Sequence, residues 1–144
     1  MGSGNTERIQ SVYGINWAAV DERARGLEAS SGLFAPDLRA RISPEVDERT
    51  LHGLEGFAVF VLGLEEDFSE FRYEADEFQE PLPDRVLVIG HIRARGRASK
   101  MLLSAPFGHL WTLRDGRAVD IEAHLRPDDA VAAARRVREA ETSG

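Results

Sequence analysis

The spacing of apolar positions switches between the helical and the extended period along this chain. From Glu7 to about Ala24, Ile9, Val12, Tyr13, Trp17 and Val20 recur three and four residues apart, which predicts an amphipathic helix capped by Asn5 or Thr6. Leu27 to Phe34 reads as a second short helix, stopped by a turn at Pro36 and Asp37. The period then falls to two. Leu38, Ala40 and Ile42 alternate with Arg39, Arg41 and Ser43 in a short strand. "PEVDERTLHG" reads as a charged loop, and Gly53 to about Leu64 returns to helical spacing, with Phe57, Val61 and Leu64 on one stripe and Phe60 beside it.

After the acidic "EEDFSEF" the pattern is that of a sheet. A strand around Phe71 to Phe78 leads through a turn at "EPLPD" into the long strand "RVLVIGHIRARGRAS". That strand is continuously apolar at first and alternating later, so it is expected to be buried at one end only. "MLLSAPFGHLWTL" is its antiparallel partner, "RDG" a hairpin turn, and "RAVDIEAHL" the last strand. Pro127 suits the first position of a short terminal helix, "PDDAVAAARRVREA". Helices first and antiparallel strands later make an α+β layout. A strongly curved sheet wrapped around the helices buries both apolar sets, with Gly90, Gly96 and Gly108 at the bends. With 144 residues, the expectation is one domain over 1–144 with flexible ends at 1–5 and 141–144.

Composition narrows the function classes. The net charge of −7 opposes nucleic acid, and the one basic run, Arg93, Arg95, Arg97 and Lys100, lies on one strand face without interleaved aromatics. No apolar run approaches the roughly 20 residues of a membrane helix. The absence of cysteine removes disulfides, thiol catalysis and Cys-ligated metal. "MGSGNTERIQ" has no basic region followed by an apolar one, which together with the missing cysteines fits the cytoplasm.

Four groups could carry chemistry. Phe107, His109 and Trp111 share one strand face, so His109 is placed to donate a hydrogen bond or to act as general acid or base. A core histidine bonded to a carboxylate or to backbone is the competing reading. Tyr13 and Trp17 lie one turn apart, either as a phenol donor beside a pocket wall or simply as the docking stripe of the helix. Asp120, Glu122 and His124 alternate with Val119, Ile121 and Ala123. The apolar set is expected inward and the polar set outward, facing Arg93, Arg95 and Arg97 or a second copy of the chain. Arg41 reads as a salt-bridge former or an anion binder. His52 is expected in the loop before the third helix, and the facing of His91 is open. The four histidines show no ligand spacing, so no metal is expected; there is no phosphate loop and no nucleophile elbow.

The chain resembles the SnoaL-like branch of the nuclear-transport-factor-2-like superfamily from about Glu7 to Arg135. The likeness is carried by "LFAPDLRARIS", "RTLHGLEGF", "FRYEADEF", "DRVLVIGHIRARGR", "APFGHLWTLRDGRAV" and "LRPDDAVAAA". The resemblance implies a cone in which the sheet curls around three N-terminal-side helices and encloses a pocket, and a homodimer joined through the outer face of the sheet. The family hosts isomerases, cyclases, epoxide hydrolases, dehydratases and binders without catalysis, so it implies a fold more than an activity. In its ketosteroid-isomerase-like members, a carboxylic acid that hydrogen-bonds the ligand oxyanion matches His109, a hydrogen-bonding tyrosine on the first helix matches Tyr13, and the proton-abstracting base matches Ser43. A hydroxyl cannot take a carbon-bound proton unaided, which argues against steroid isomerisation. The expectation is a pocket for a small, largely apolar organic molecule, walled by Trp17, Phe34, Phe57, Phe60, Phe107, Trp111 and Ile121, with His109 and Tyr13 as catalytic candidates and no cofactor. The alternative is a non-catalytic ligand-binding or dimerising domain.

Overall fold

The computed structural model describes residues 4–29, 32–42, 49–53 and 63–143. Its elements are helices α1 (Gly4–Gln10) and α2 (Val20–Ala29), strands β1 (Phe34–Ile42), β2 (Arg49–His52), β3 (Phe68–Leu82), β4 (Arg85–Gly96), β5 (Leu102–Arg114) and β6 (Arg117–His124), and helix α3 (Pro127–Ser143). Among the described residues the strands form one six-stranded sheet in the order β2-β1-β6-β5-β4-β3. It is mixed: β1 runs parallel to β6, and every other neighbouring pair is antiparallel. This is the α+β arrangement that the apolar spacing predicts. The β3-to-β6 meander is closed on one side by β1, which returns from the N-terminal half of the chain.

Three stretches depart from the periodicity. The single helix expected over Glu7 to Ala24 is two helices. Gly14 takes a left-handed φ of 88°, and the segment after it pairs with the edge of β3, through Gly14 N–H to Tyr73 O and Trp17 N–H to Phe71 O, each at 2.8 Å. Asn16 Oδ1 secures the break by accepting from the N–H groups of Ala18 and Phe71. Long-range pairing thus overrides local helical preference, while Ile9, Val12 and Trp17 still face the core. Val20, expected on the same stripe, is 51% exposed. The second helix expected from Leu27 ends at Ala29, and Phe34 already belongs to β1. Pro36 and Asp37 lie within that strand, at a shift of register where neither is paired with β6. The loop expected around "RTLH" contains β2, so His52 sits on a strand, exposed. Of the helix expected from Gly53 to Leu64, Gly53 and residues 63–64 are helical; Phe57 and Phe60 lie outside the described residues, as does Ser43.

The two faces of the sheet have different coats. On the inner face, Leu38, Phe71, Val86, Val88, Ala94, Phe107, Trp111, Leu113 and Ala118 pack with Ile9, Val12, Ile15 and Trp17. On the outer face, Ala130, Ala133 and Ala134 of α3 pack on Leu87 and Leu110. Gly108 permits this contact, because a Cβ there would lie 2.5 Å from Ala130 Cβ and 3.2 Å from Pro127 Cα. The terminal helix, expected to be short, has 17 residues. At the β5–β6 turn, Asp115 and Gly116 both have positive φ, 54° and 78°, the pair of left-handed residues that matches strand twist in a two-residue hairpin.

The outer face also holds Asp120, Glu122 and His124, but their partners are not Arg93, Arg95 and Arg97. Arg39 and Arg41 of β1 bind Asp120 at 2.9 Å each, Arg41 reaches Glu122 at 3.3 Å, and His124 Nε2 meets Glu122 at 3.0 Å. The reason is strand order. β1 lies beside β6, whereas β5 separates β6 from β4.

Candidate functional site

Period-two alternation on β5 turns Phe107, His109 and Trp111 to the inner face. His109 lies between Val88 on β4 and Ala123 on β6. The turn after α1 brings Tyr13 over this strand. Its ring stacks parallel on Phe107, with centroids 6.0 Å apart, and meets Phe78 edge-on at 5.8 Å. Tyr13 Oη lies 2.9 Å from His109 Nδ1, and Trp111 Nε1–H donates to the same Oη at 2.8 Å.

These contacts favour one arrangement of the protons. The indole N–H is only a donor, so Tyr13 Oη accepts from it. Among the described residues the one acceptor left for the phenol proton is His109 Nδ1, and a buried hydroxyl proton without an acceptor is costly. Tyr13 O–H therefore donates to Nδ1, and neutral His109 carries its own proton on Nε2. Desolvation raises the Tyr13 phenol far above its ordinary value, only partly opposed by the Trp111 bond. Desolvation, helped by the charge of His124, lowers His109 to about 3. At neutral pH both groups are uncharged, and Nε2–H is a hydrogen-bond donor with no protein partner among the described residues. Because folding depresses this histidine's pKa, its contribution favours the folded state above pH 6.5 and is lost as the pH falls from 6.5 towards 3.

A residue not singled out from the sequence joins this group. Tyr73 of β3 sits edge-on to His109 with centroids 4.9 Å apart, and to Phe107 at 5.3 Å. Burial raises its phenol well above the ordinary value. The alternation of Phe71, Tyr73 and Ala75 in "FRYEADEF" was the available signal, since it places Tyr73 on the face that Phe71 buries.

The other expected wall residues fall as follows. Trp17, Phe107 and Trp111 are 5%, 1% and 3% exposed and belong to the core. Phe34 lies 6.3 Å from the Trp111 ring, and Ile121 pairs with Trp111 across the ladder; both keep accessible surface, as do Tyr13, Tyr73 and Phe78. The remaining ionisable groups stand apart from this wall. His91 bonds Asp76 at 3.2 Å and Glu74 at 3.1 Å, and those carboxylates, Asp76 first, raise its pKa. Arg41 is engaged by Asp120 and Glu122. Among the described residues the buried polar side chains are Asn16, His109 and Asp120, of which Asp120 is bound by Arg39 and Arg41 on the outer face, and no group of three potential metal ligands occurs among the described residues. No described helix is long and apolar enough to cross a membrane.

The model of the SnoaL-like domain matches residues 17–121. No curated protein matches the chain. Among solved structures, an NTF2-like protein of unknown function from Burkholderia pseudomallei K96243 is 24% identical over 91% of this chain and 97% of its own, with a TM-score of 0.68. A protein provisionally assigned as a SnoaL-like polyketide cyclase, from Jannaschia sp. CCS1, is 18% identical over 83% of each chain, TM-score 0.67. TerC, co-crystallised with polyporic acid, is 24% identical over 95% of this chain and 99% of its own, TM-score 0.69. At these identities the likeness is one of fold.

Proposed function

This chain belongs to the SnoaL-like domain family, and from that membership and its inner wall we propose that it binds a small, largely apolar organic molecule and polarises one oxygen of it with the Nε2–H of neutral His109. The observation that carries this reading is the chain of hydrogen bonds from Trp111 through Tyr13 to His109 Nδ1, which leaves Nε2–H as the group to be used. Phe34, Ile121 and Phe78 supply apolar wall around it. Phe57 and Phe60, expected in the same wall, lie outside the described residues.

The chemistry follows from the protonation states. An imidazole lowered to about 3 is no cationic acid at pH 7. It is a neutral donor in a low-dielectric site, suited to a carbonyl oxygen that gains charge as an enolate forms. Tyr13 positions it and selects its tautomer. Such a donor serves cofactor-free isomerisation, aldol-type cyclisation or hydration. The one buried carboxylate among the described residues, Asp120, is held by Arg39 and Arg41 on the outer face, and this favours a second reading, a carrier that binds without turnover. A homodimer would use the part of the outer face that α3 leaves open, around Arg93, Arg95 and Ser104.

The test is binding of polyporic acid, followed by quenching of tryptophan fluorescence. Wild-type protein is expected to bind it, and His109→Phe, which keeps a ring but no donor, to bind on the order of three- to tenfold more weakly. Equal affinity in a His109→Phe protein of unchanged circular dichroism would remove His109 from the site.

A further inference from the structure

Of the two phenols, Tyr73 is the one whose hydroxyl has no hydrogen-bond partner among the described residues. Tyr13 spends both its hydrogen-bonding directions inside the protein, accepting from Trp111 and giving to His109. Tyr73 makes no side-chain hydrogen bond among the described residues, and on the inner wall it is only partly buried, so its hydroxyl is open to a partner from outside the wall. Its place is set from three sides. Gly14 N–H holds its backbone carbonyl, Phe71 meets its ring edge-on at 5.2 Å, and His109 and Phe107 do so from the other flank. The ring is therefore fixed beside the imidazole, and no described partner occupies its polar end.

From this arrangement we propose that Tyr73 is a second ligand-binding donor, and that with His109 it makes the site specific for compact ring compounds bearing two nearby oxygen acceptors, such as 1,3-diketones and hydroxyketones. The inference rests on the reading of His109 above. Ring centroids 4.9 Å apart make the two side chains immediate neighbours on one wall. Both groups are neutral donors, and no arginine or lysine is among the buried described residues to compensate a localised carboxylate or phosphate charge. The pair thus suits carbonyl oxygens, or an enolate whose charge is spread over two of them.

The probes are 1-indanone, with one carbonyl, and 1,3-indandione, with two. Wild-type protein is expected to bind the dione more tightly by on the order of three- to tenfold, the worth of one added hydrogen bond. Tyr73→Phe should erase that preference while leaving 1-indanone affinity unchanged, and His109→Phe should weaken both compounds. A preference for the dione that survives in Tyr73→Phe overturns the assignment of Tyr73 and leaves the reading of His109 standing. Wild-type protein that binds neither indane compound nor polyporic acid overturns both.

Discussion

Replacing Phe107 with alanine should lower the stability of the protein by about 3–5 kcal/mol, the usual cost of emptying a buried aromatic site. Phe107 is 1% exposed. It is stacked on Tyr13 within 4° of parallel and touches Tyr73 and His109 with centroid distances of 5.3 and 4.4 Å. Those neighbours come from the turn after α1, from β3 and from β5 itself, so no single side chain can swing in to fill the space. For a chain of this length the loss corresponds to a fall in melting temperature on the order of 10 °C. Thermal unfolding followed by circular dichroism measures it. A drop of only a degree or two would mean that the aromatic wall is loosely packed.

Gly90→Ala is expected to cost about 3 kcal/mol, at the upper end of what overpacking does. The ladder between β3 and β4 shifts between Ala75 and Glu77, where Asp76 bulges outward. The bulge presses the carbonyl of Glu74 against Gly90, and an added Cβ would collide with that oxygen and come within 3.0 Å of Ala75 Cα. Both obstacles are backbone, which cannot rotate away as a side-chain tip does. Relief requires β3 to move, and Tyr73 and Glu74 move with it. Chemical unfolding should show a lower midpoint with an unchanged denaturant slope. A stability equal to wild type would contradict the close approach.

The long strands were readable because two signals coincided there. "APFGHLWTL" alternates without interruption, and "RDG" carries the left-handed pair that a two-residue hairpin needs, so the facing of Phe107, His109 and Trp111 follows from local pattern alone. The break between α1 and α2 was hidden for the opposite reason. Ile9, Val12 and Trp17 point inward whether the backbone is coiled or turned, and what breaks the helix is bonding from Gly14, Asn16 and Trp17 to a strand more than fifty residues later. The partners of Asp120 depended on β1 inserting parallel beside β6, a choice that no local spacing encodes. β2 escaped notice because four residues are too few to show a period. Tyr73 lay in an evident alternation, but that its hydroxyl meets no partner among the described residues is a property of the assembled wall. The contact between Tyr13 and His109 is likewise tertiary, since 96 residues separate them.

The most direct measurement of the central claim is a nitrogen-15 NMR titration of the His109 imidazole. The account predicts a neutral ring with its proton on Nε2 and a bare Nδ1 that accepts from Tyr13, unchanged from pH 8 to pH 5, with protonation setting in only near the value of about 3 to which burial lowers it. A midpoint close to 6.5, or a proton found on Nδ1 at neutral pH, would contradict it: the first would put the ring in contact with bulk water, and the second would turn its only donor towards Tyr13 and away from any ligand.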